Sequence, residues 1–145
     1  MTIIDDAAFI AWSGNVSPSL RDDPRWKLHS YRVAMFAMHR AQDDATDLRR
    51  AGADLATITQ LLRALGSVSA NITEAFGRPT GADRSRFLSY ALGSVREAIT
   101  WYHALAPHIA AHTLDERLEV LSELRRLVLG YQRWLRTHAS RLRLV

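Results

Sequence analysis

The sequence predicts an all-α protein, an antiparallel up-down four-helix bundle preceded by an N-terminal arm. Apolar residues recur at intervals of three and four along most of the chain, and alternating strand-like runs are absent. Breaks bearing proline or glycine leave segments long enough for helices of about 30–40 Å at 1.5 Å per residue, joined by short loops. The expected division is an arm over residues 1–23 and a bundle over 24–145.

Ile3, Ile4, Phe9, Ile10, Trp12 and Val16 make the arm too apolar for a free tail, though their spacing matches no single face. Ser13-Gly14-Asn15 and Ser17-Pro18 read as linker. The first long helix is expected from Asp23-Pro24, an N-cap followed by proline, to about Arg50, where Ala51-Gly52 supplies a stop. Leu28, Tyr31, Met35, Met38 and Ala45 form one apolar stripe; Trp26, Val33 and Phe36 project to the opposite side. Either the arm covers this second group or it forms an oligomer interface, and the sequence reading favours the interface.

The second helix runs from about Asp54 to Phe76, with Leu55, Ile58, Leu62, Leu65, Val68, Ile72 and Phe76 on its apolar side and Gly77 at its end. Thr80 or Asp83 caps a third, reaching about Leu105 before Pro107. Thr113-Leu114-Asp115-Glu116 fits a capping box and opens a fourth, running to about Ser140.

Composition narrows the function classes. The 145 residues are 48% hydrophobic and 23% charged, which are globular values, and the absence of cysteine excludes disulfides, thiolate metal sites and a cysteine nucleophile. No apolar run approaches the length of a membrane span. The start, with Asp5 and Asp6, lacks a signal peptide's basic region, so a cytoplasmic location is expected. No cofactor is implied.

The formal charge is +4, and every basic residue except Lys27 is arginine. From Leu124 to Val145 no acid occurs, yet Arg125, Arg126, Arg133, Arg136, Arg141 and Arg143 all lie there. On a helix, Arg125, Arg126, Arg133, Arg136 and Arg143 share a sector of about 100°, an uninterrupted cationic strip suited to phosphate oxygens. A solvated face rich in arginine through genome composition competes with that reading, and Trp134 at the border admits membrane-surface adsorption. No compact aromatic platform for stacking single-stranded bases is evident.

On the second helix Gln60, Arg63, Ser67, Asn71, Glu74 and Arg78 share the polar side, and Gly66 sits mid-helix at about 1 kcal/mol against alanine. The third helix repeats the oddity with Gly93-Ser94, followed by Glu97 one turn on. A close crossing near Gly66 and Gly93 would bring Arg63 or Asn71 to Glu97 in a partly buried polar network, which sets register more than net stability.

These two blocks resemble a known family. The run Gln60, Arg63-Ala64, Ser67, Asn71-Ile72, Glu74, Gly77-Arg78, followed by Arg86-Phe87-Leu88, Ala91, Gly93-Ser94 and Glu97, looks like the signature of bacterial four-helix-bundle proteins first noticed in intervening sequences of large-subunit ribosomal RNA genes. The helical layout extends the likeness from about Tyr31 to Leu129, and Ala75 departs from the usual glycine. The resemblance implies a homo-oligomer, a pentameric ring above all. It also implies kinship with the accessory proteins of diversity-generating retroelements, which bind a reverse transcriptase and nucleic acid. It implies no activity. Carried over by position, Gln60, Arg63, Asn71, Glu74, Arg78, Ser94 and Glu97 are family-pattern residues.

An enzyme is the least favoured class. Of the histidines, His108 and His112 alone stand four apart, flanking a loop with Asp115 as the nearest acid, which is short of a metal site. The serines lack a histidine partner and the glycines form no phosphate loop. A scaffold that binds a protein partner fits the surplus apolar groups of the first helix as well as self-assembly does.

Overall fold

The computed structural model describes residues 2–138, and among these only helices and turns occur. Six α-helices follow one another: α1 (Ala7–Gly14), α2 (Pro18–Arg21), α3 (His29–Arg50), α4 (Leu55–Gly77), α5 (Gly81–Leu105) and α6 (Ala111–Thr137), with 3-10 turns at Ile3–Asp5, Pro24–Lys27 and Ala106–His108. The four long helices make the bundle. Each packs on its neighbour in sequence, and α3 meets α6 to close the arrangement. Contacting pairs run in opposite senses: Ser67 with Ser94 and Arg78 with Phe87 across α4–α5, and Asp44 with Arg117 across α3–α6.

Local chemistry fixes the helix ends. Asp54 Oδ2 accepts the Thr57 amide at 2.9 Å and Thr80 Oγ1 accepts the Asp83 amide at 3.1 Å, so both helices start on a capping side chain. The bonds from Thr57 hold the Asp54 carboxyl below the usual carboxylate range. Gly52, at φ 77°, ends α3: its amide reaches Arg49 O and the Ala53 amide reaches Leu48 O, a paired closure that a side chain at Gly52 would strain.

Two predicted starts move. The first long helix does not begin at Pro24; residues 24–27 form a 3-10 turn held by Asp23, whose carboxylate takes the Arg25 amide at 2.9 Å and its guanidinium at 2.6 Å. The Arg25 bonds bring the Asp23 carboxyl down to about 2. The chain then turns at Leu28, and α3 starts at His29. The fourth helix begins at Ala111, so Thr113 lies inside its first turn and makes no cap. Proximity of Pro107 to the helix start leaves Ala110, with no side-chain oxygen, at the N-cap.

The inward face of α3 matches the predicted stripe only in part. Tyr31 and Ala45 are buried as expected, but the rest of the buried line is Val33, Ala34, Ala37, Ala41, Asp44 and Leu48, while Met35 and Met38 are half-buried at its flank. Alanine carries little hydropathic signal, yet its small side chain lets neighbouring helices approach. In α4 the expected core residue Leu55 is 63% exposed, because the first turn overhangs the bundle end.

Trp26, Val33 and Phe36 are not left open as an oligomer interface. Val33 is fully buried in the bundle, and the arm of the same chain covers the other two. Phe9 is buried edge-on against Phe36 at 5.3 Å between ring centroids, and Trp12 lies 5.4 Å from Phe36 and 5.7 Å from Trp26. Asp6 caps α1 by accepting the Ala8 and Phe9 amides, which sets the angle at which Phe9 enters. The Ile3 amide donates to Glu123 Oε2 at 3.0 Å, fastening the arm to α6.

Candidate nucleic-acid interface

The C-terminal half of α6 buries Leu121, Leu124, Val128 and Leu135 and turns Arg125, Arg126, Arg133 and Arg136 to solvent. None of these four is in an ion pair among the described residues. Arg141 and Arg143 lie outside the described residues. The first half of the same helix carries Asp115, Glu116, Glu119 and Glu123. Carboxylates near the N-terminus and guanidinium groups near the C-terminus both suit the helix dipole, so the segregated charge also favours the helix itself.

Aromatic rings border the strip. Trp134 and His138 stack at 4.4 Å with 16° between planes, and Tyr131 lies 6.4 Å from Trp134. Spacings of three and four residues place all three on one side of α6, a signal the sequence already held. Burial pushes the Tyr131 hydroxyl above its ordinary range, although the Arg84 guanidinium beside it acts the other way.

The family-pattern residues divide. Ser94 Oγ donates to Ser67 Oγ at 2.9 Å, and Asn71 Nδ2 donates to Ser67 O at 2.9 Å and to Ser67 Oγ at 3.1 Å, a short polar chain across the α4–α5 seam. Arg78 pairs with Glu74 at 3.0 Å and lies over the Phe87 ring at 4.5 Å. Gln60, Arg63 and Glu97 are exposed. Neither Arg63 nor Asn71 bonds to Glu97 among the described residues, so the predicted network stops at Ser94. Glu97 lies three residues on, about 60° around the helix from Ser94 and out of the seam. The helices do approach beside the glycines, as the Ser67–Ser94 bond shows, but the glycines are not what permits it: a Cβ at Gly66 or Gly93 would meet nothing within 4 Å.

The strongest polar cluster was not singled out from the sequence. Asp44 Oδ2 accepts from Arg117 Nε at 2.7 Å and from the Tyr102 hydroxyl at 2.7 Å, while Asp44 Oδ1 accepts from Arg117 Nη2 at 3.0 Å. All three side chains are buried, joining α3, α5 and α6. Burial, then the Asp44 charge, pushes the Tyr102 hydroxyl up; burial opposes the Arg117 charge, but bonding to Asp44 more than offsets it. The signal was positional. Asp44 falls in line with Ala37, Ala41 and Leu48, and Arg117 with Leu114, Leu121 and Leu124.

Among the described residues no cluster of three or more histidine or acidic side chains could hold a metal, and no helix is long and apolar enough to cross a membrane. His108 ends the last 3-10 turn and His112 lies in the first turn of α6.

The comparisons follow this geometry. Residues 27–129 match the family model described as 23S rRNA-intervening sequence protein. A solved structure of a protein of unknown function from the S23 ribosomal protein family of Bacteroides thetaiotaomicron shares the fold, with a TM-score of 0.67 at 21% identity. The similarity covers 71% of this chain and 97% of that one. No curated protein matches the chain.

Proposed function

Since the chain belongs to the 23S rRNA-intervening sequence protein family, we propose that it is a non-enzymatic helical bundle that assembles with copies of itself and binds nucleic acid backbone. The observation that carries this is the run of four exposed arginines toward the end of α6, in no ion pair among the described residues. Guanidinium forks meet phosphate oxygens in pairs, and each phosphate neutralised releases counterions. The family's name, with its reference to ribosomal RNA, supports RNA as the first ligand to test. Four such contacts imply an affinity that falls about a hundredfold between 50 and 200 mM salt.

Self-assembly is supported by the α4–α5 seam, where Arg63 and Glu97 stand exposed beside the open space at Gly66 and Gly93. Repetition of the strip around a symmetric assembly multiplies weak contacts.

Filter binding to mixed RNA and DNA at low salt, with light-scattering mass in parallel, tests both halves. Retention that disappears on changing Arg125, Arg126, Arg133 and Arg136 to glutamine supports backbone binding; no retention at micromolar protein overturns it. A monomer at the same concentration overturns self-assembly. A scaffold for a protein partner is the second reading, favoured by the exposed aliphatic side chains of the arm, Ile4 at 44% and Ile10 at 55%.

A further inference from the structure

A second feature stands beside the arginine strip. The first turn of α3, the end of α4, the start of α5 and the last turns of α6 enclose an open cleft of about 480 Å³. Phe76, Tyr131 and Trp134 supply aromatic walls, Leu28 an aliphatic one, Arg84 the charge and Gly130 a gap. The volume suits a small planar ligand.

We propose that this cleft holds an unpaired base of a single-stranded nucleic acid whose phosphates lie on the arginine strip. The proposal rests on the strip's reading as a backbone site and adds what the strip cannot supply, a distinction between single and double strands.

Charge selects the occupant. No carboxylate lines the cleft. Glu123, 3.9 Å from the lining residue His29, is turned to the arm by the Ile3 amide. Arg84 is fixed by its Nε, which donates to the Arg78 carbonyl at 2.6 Å where α4 ends, and its guanidinium stands beside Tyr131. Arg133 reaches the rim: a Cβ built on Gly130 would lie 3.9 Å from its Nη2. A strand held by Arg126, Arg133 and Arg136 therefore passes the mouth of the cleft.

Shape and chemistry agree. Trp134 is 47% exposed, and His138 stacks on one face of the ring and holds its plane. Bases of every kind present a π-face, so stacking on such a ring is tolerant of sequence. The Tyr131 hydroxyl can donate to a base carbonyl or ring nitrogen, and the Arg84 guanidinium adds fixed donors. A duplex keeps its bases stacked on one another and offers only backbone to the same surface.

The experiment uses the full chain at low salt with labelled 12-nucleotide oligo(U) RNA, oligo(dT) DNA and a mixed-sequence duplex. Trp134→Ala removes an exposed ring without altering charge. The variant is expected to weaken both single strands about tenfold, the loss of one stacked base, while duplex binding stays within twofold. Equal weakening of single strand and duplex, or none, overturns the cleft even where the arginine-to-glutamine variant still loses all binding, a result that leaves the strip standing. Failure of the unaltered protein to bind any of the three overturns strip and cleft together. Binding to anionic phosphatidylserine vesicles that Trp134→Ala abolishes, with RNA affinity unchanged, overturns the cleft in favour of a lipid surface.

Discussion

Asp44 and Arg117, 73 residues apart in sequence, meet in a two-pronged ion pair that the Tyr102 hydroxyl completes from a third helix. The pair joins α3 to α6, the first and last helices of the bundle. Removing one member strands the other charge in the core, so Asp44→Ala and Arg117→Ala are each expected to lower stability by about 3–5 kcal/mol. Tyr102→Phe loses one bond to a charged acceptor, about 1.5–3 kcal/mol. The joint replacement Asp44→Leu, Arg117→Met and Tyr102→Phe, which leaves no buried polar group unpartnered, should fall close to the parent, because desolvating a buried pair largely cancels its attraction. Urea unfolding of the four variants measures this.

Phe9→Ala empties a buried site against Phe36, and such a change costs about 3–5 kcal/mol in a core that cannot collapse. The arm is short and one side of it is open, so the lower figure is expected here. Bundle helicity by circular dichroism should survive while the Trp12 and Trp26 environment, read by fluorescence, changes. Unchanged fluorescence would mean that the arm does not rest on α3 in solution.

Stability should fall in mild acid. His29 is half-buried beside Phe9; burial and the Arg32 charge lower its pKa from 6.5, against the pull of Glu123. A proton therefore binds the unfolded chain more readily than the folded one. The fold keeps its full stability above about pH 6.5 and loses it as pH drops toward the folded value. His29→Gln should flatten that part of the curve, and thermal melts at pH 5 and 7.5 compare the two proteins.

Gly66 and Gly93 face open space within the protomer. Alanine at either should raise the unfolding free energy at dilute concentration by up to about 1 kcal/mol. If copies pack where the two glycines lie, the same substitutions should raise the concentration at which assembly sets in, read by light-scattering mass. A rise in stability with no change in mass would assign the glycines to neither packing nor assembly.

Much of the fold can be read from the chain because its signals are local. Asp54, Thr80 and Gly52 mark helix ends through atoms within three residues of themselves, and the leucines and valines of α4 to α6 carry their own periodicity. The inward side of α3 is harder. Its core line is largely alanine, and the large rings that catch the eye belong to the contact with the arm. The ion pair is hidden for another reason: Asp44 and Arg117 stand at core spacing, but nothing local tells which distant charge answers which. In the candidate interface, exposure of the arginines follows from helix geometry. Glu97 was misplaced because closeness in a motif does not fix which side of the seam a residue takes.

The bond from the Ile3 amide to Glu123 spans 120 residues. In an unfolded chain that is a wide loop to close, whereas an assembled bundle already holds Glu123 within reach of the short arm. The arm should therefore dock last and peel first, giving the molecule two thresholds of opening rather than one. A protease offered the native protein would enter around Ser13 to Asn15 and leave a trimmed, still helical remnant.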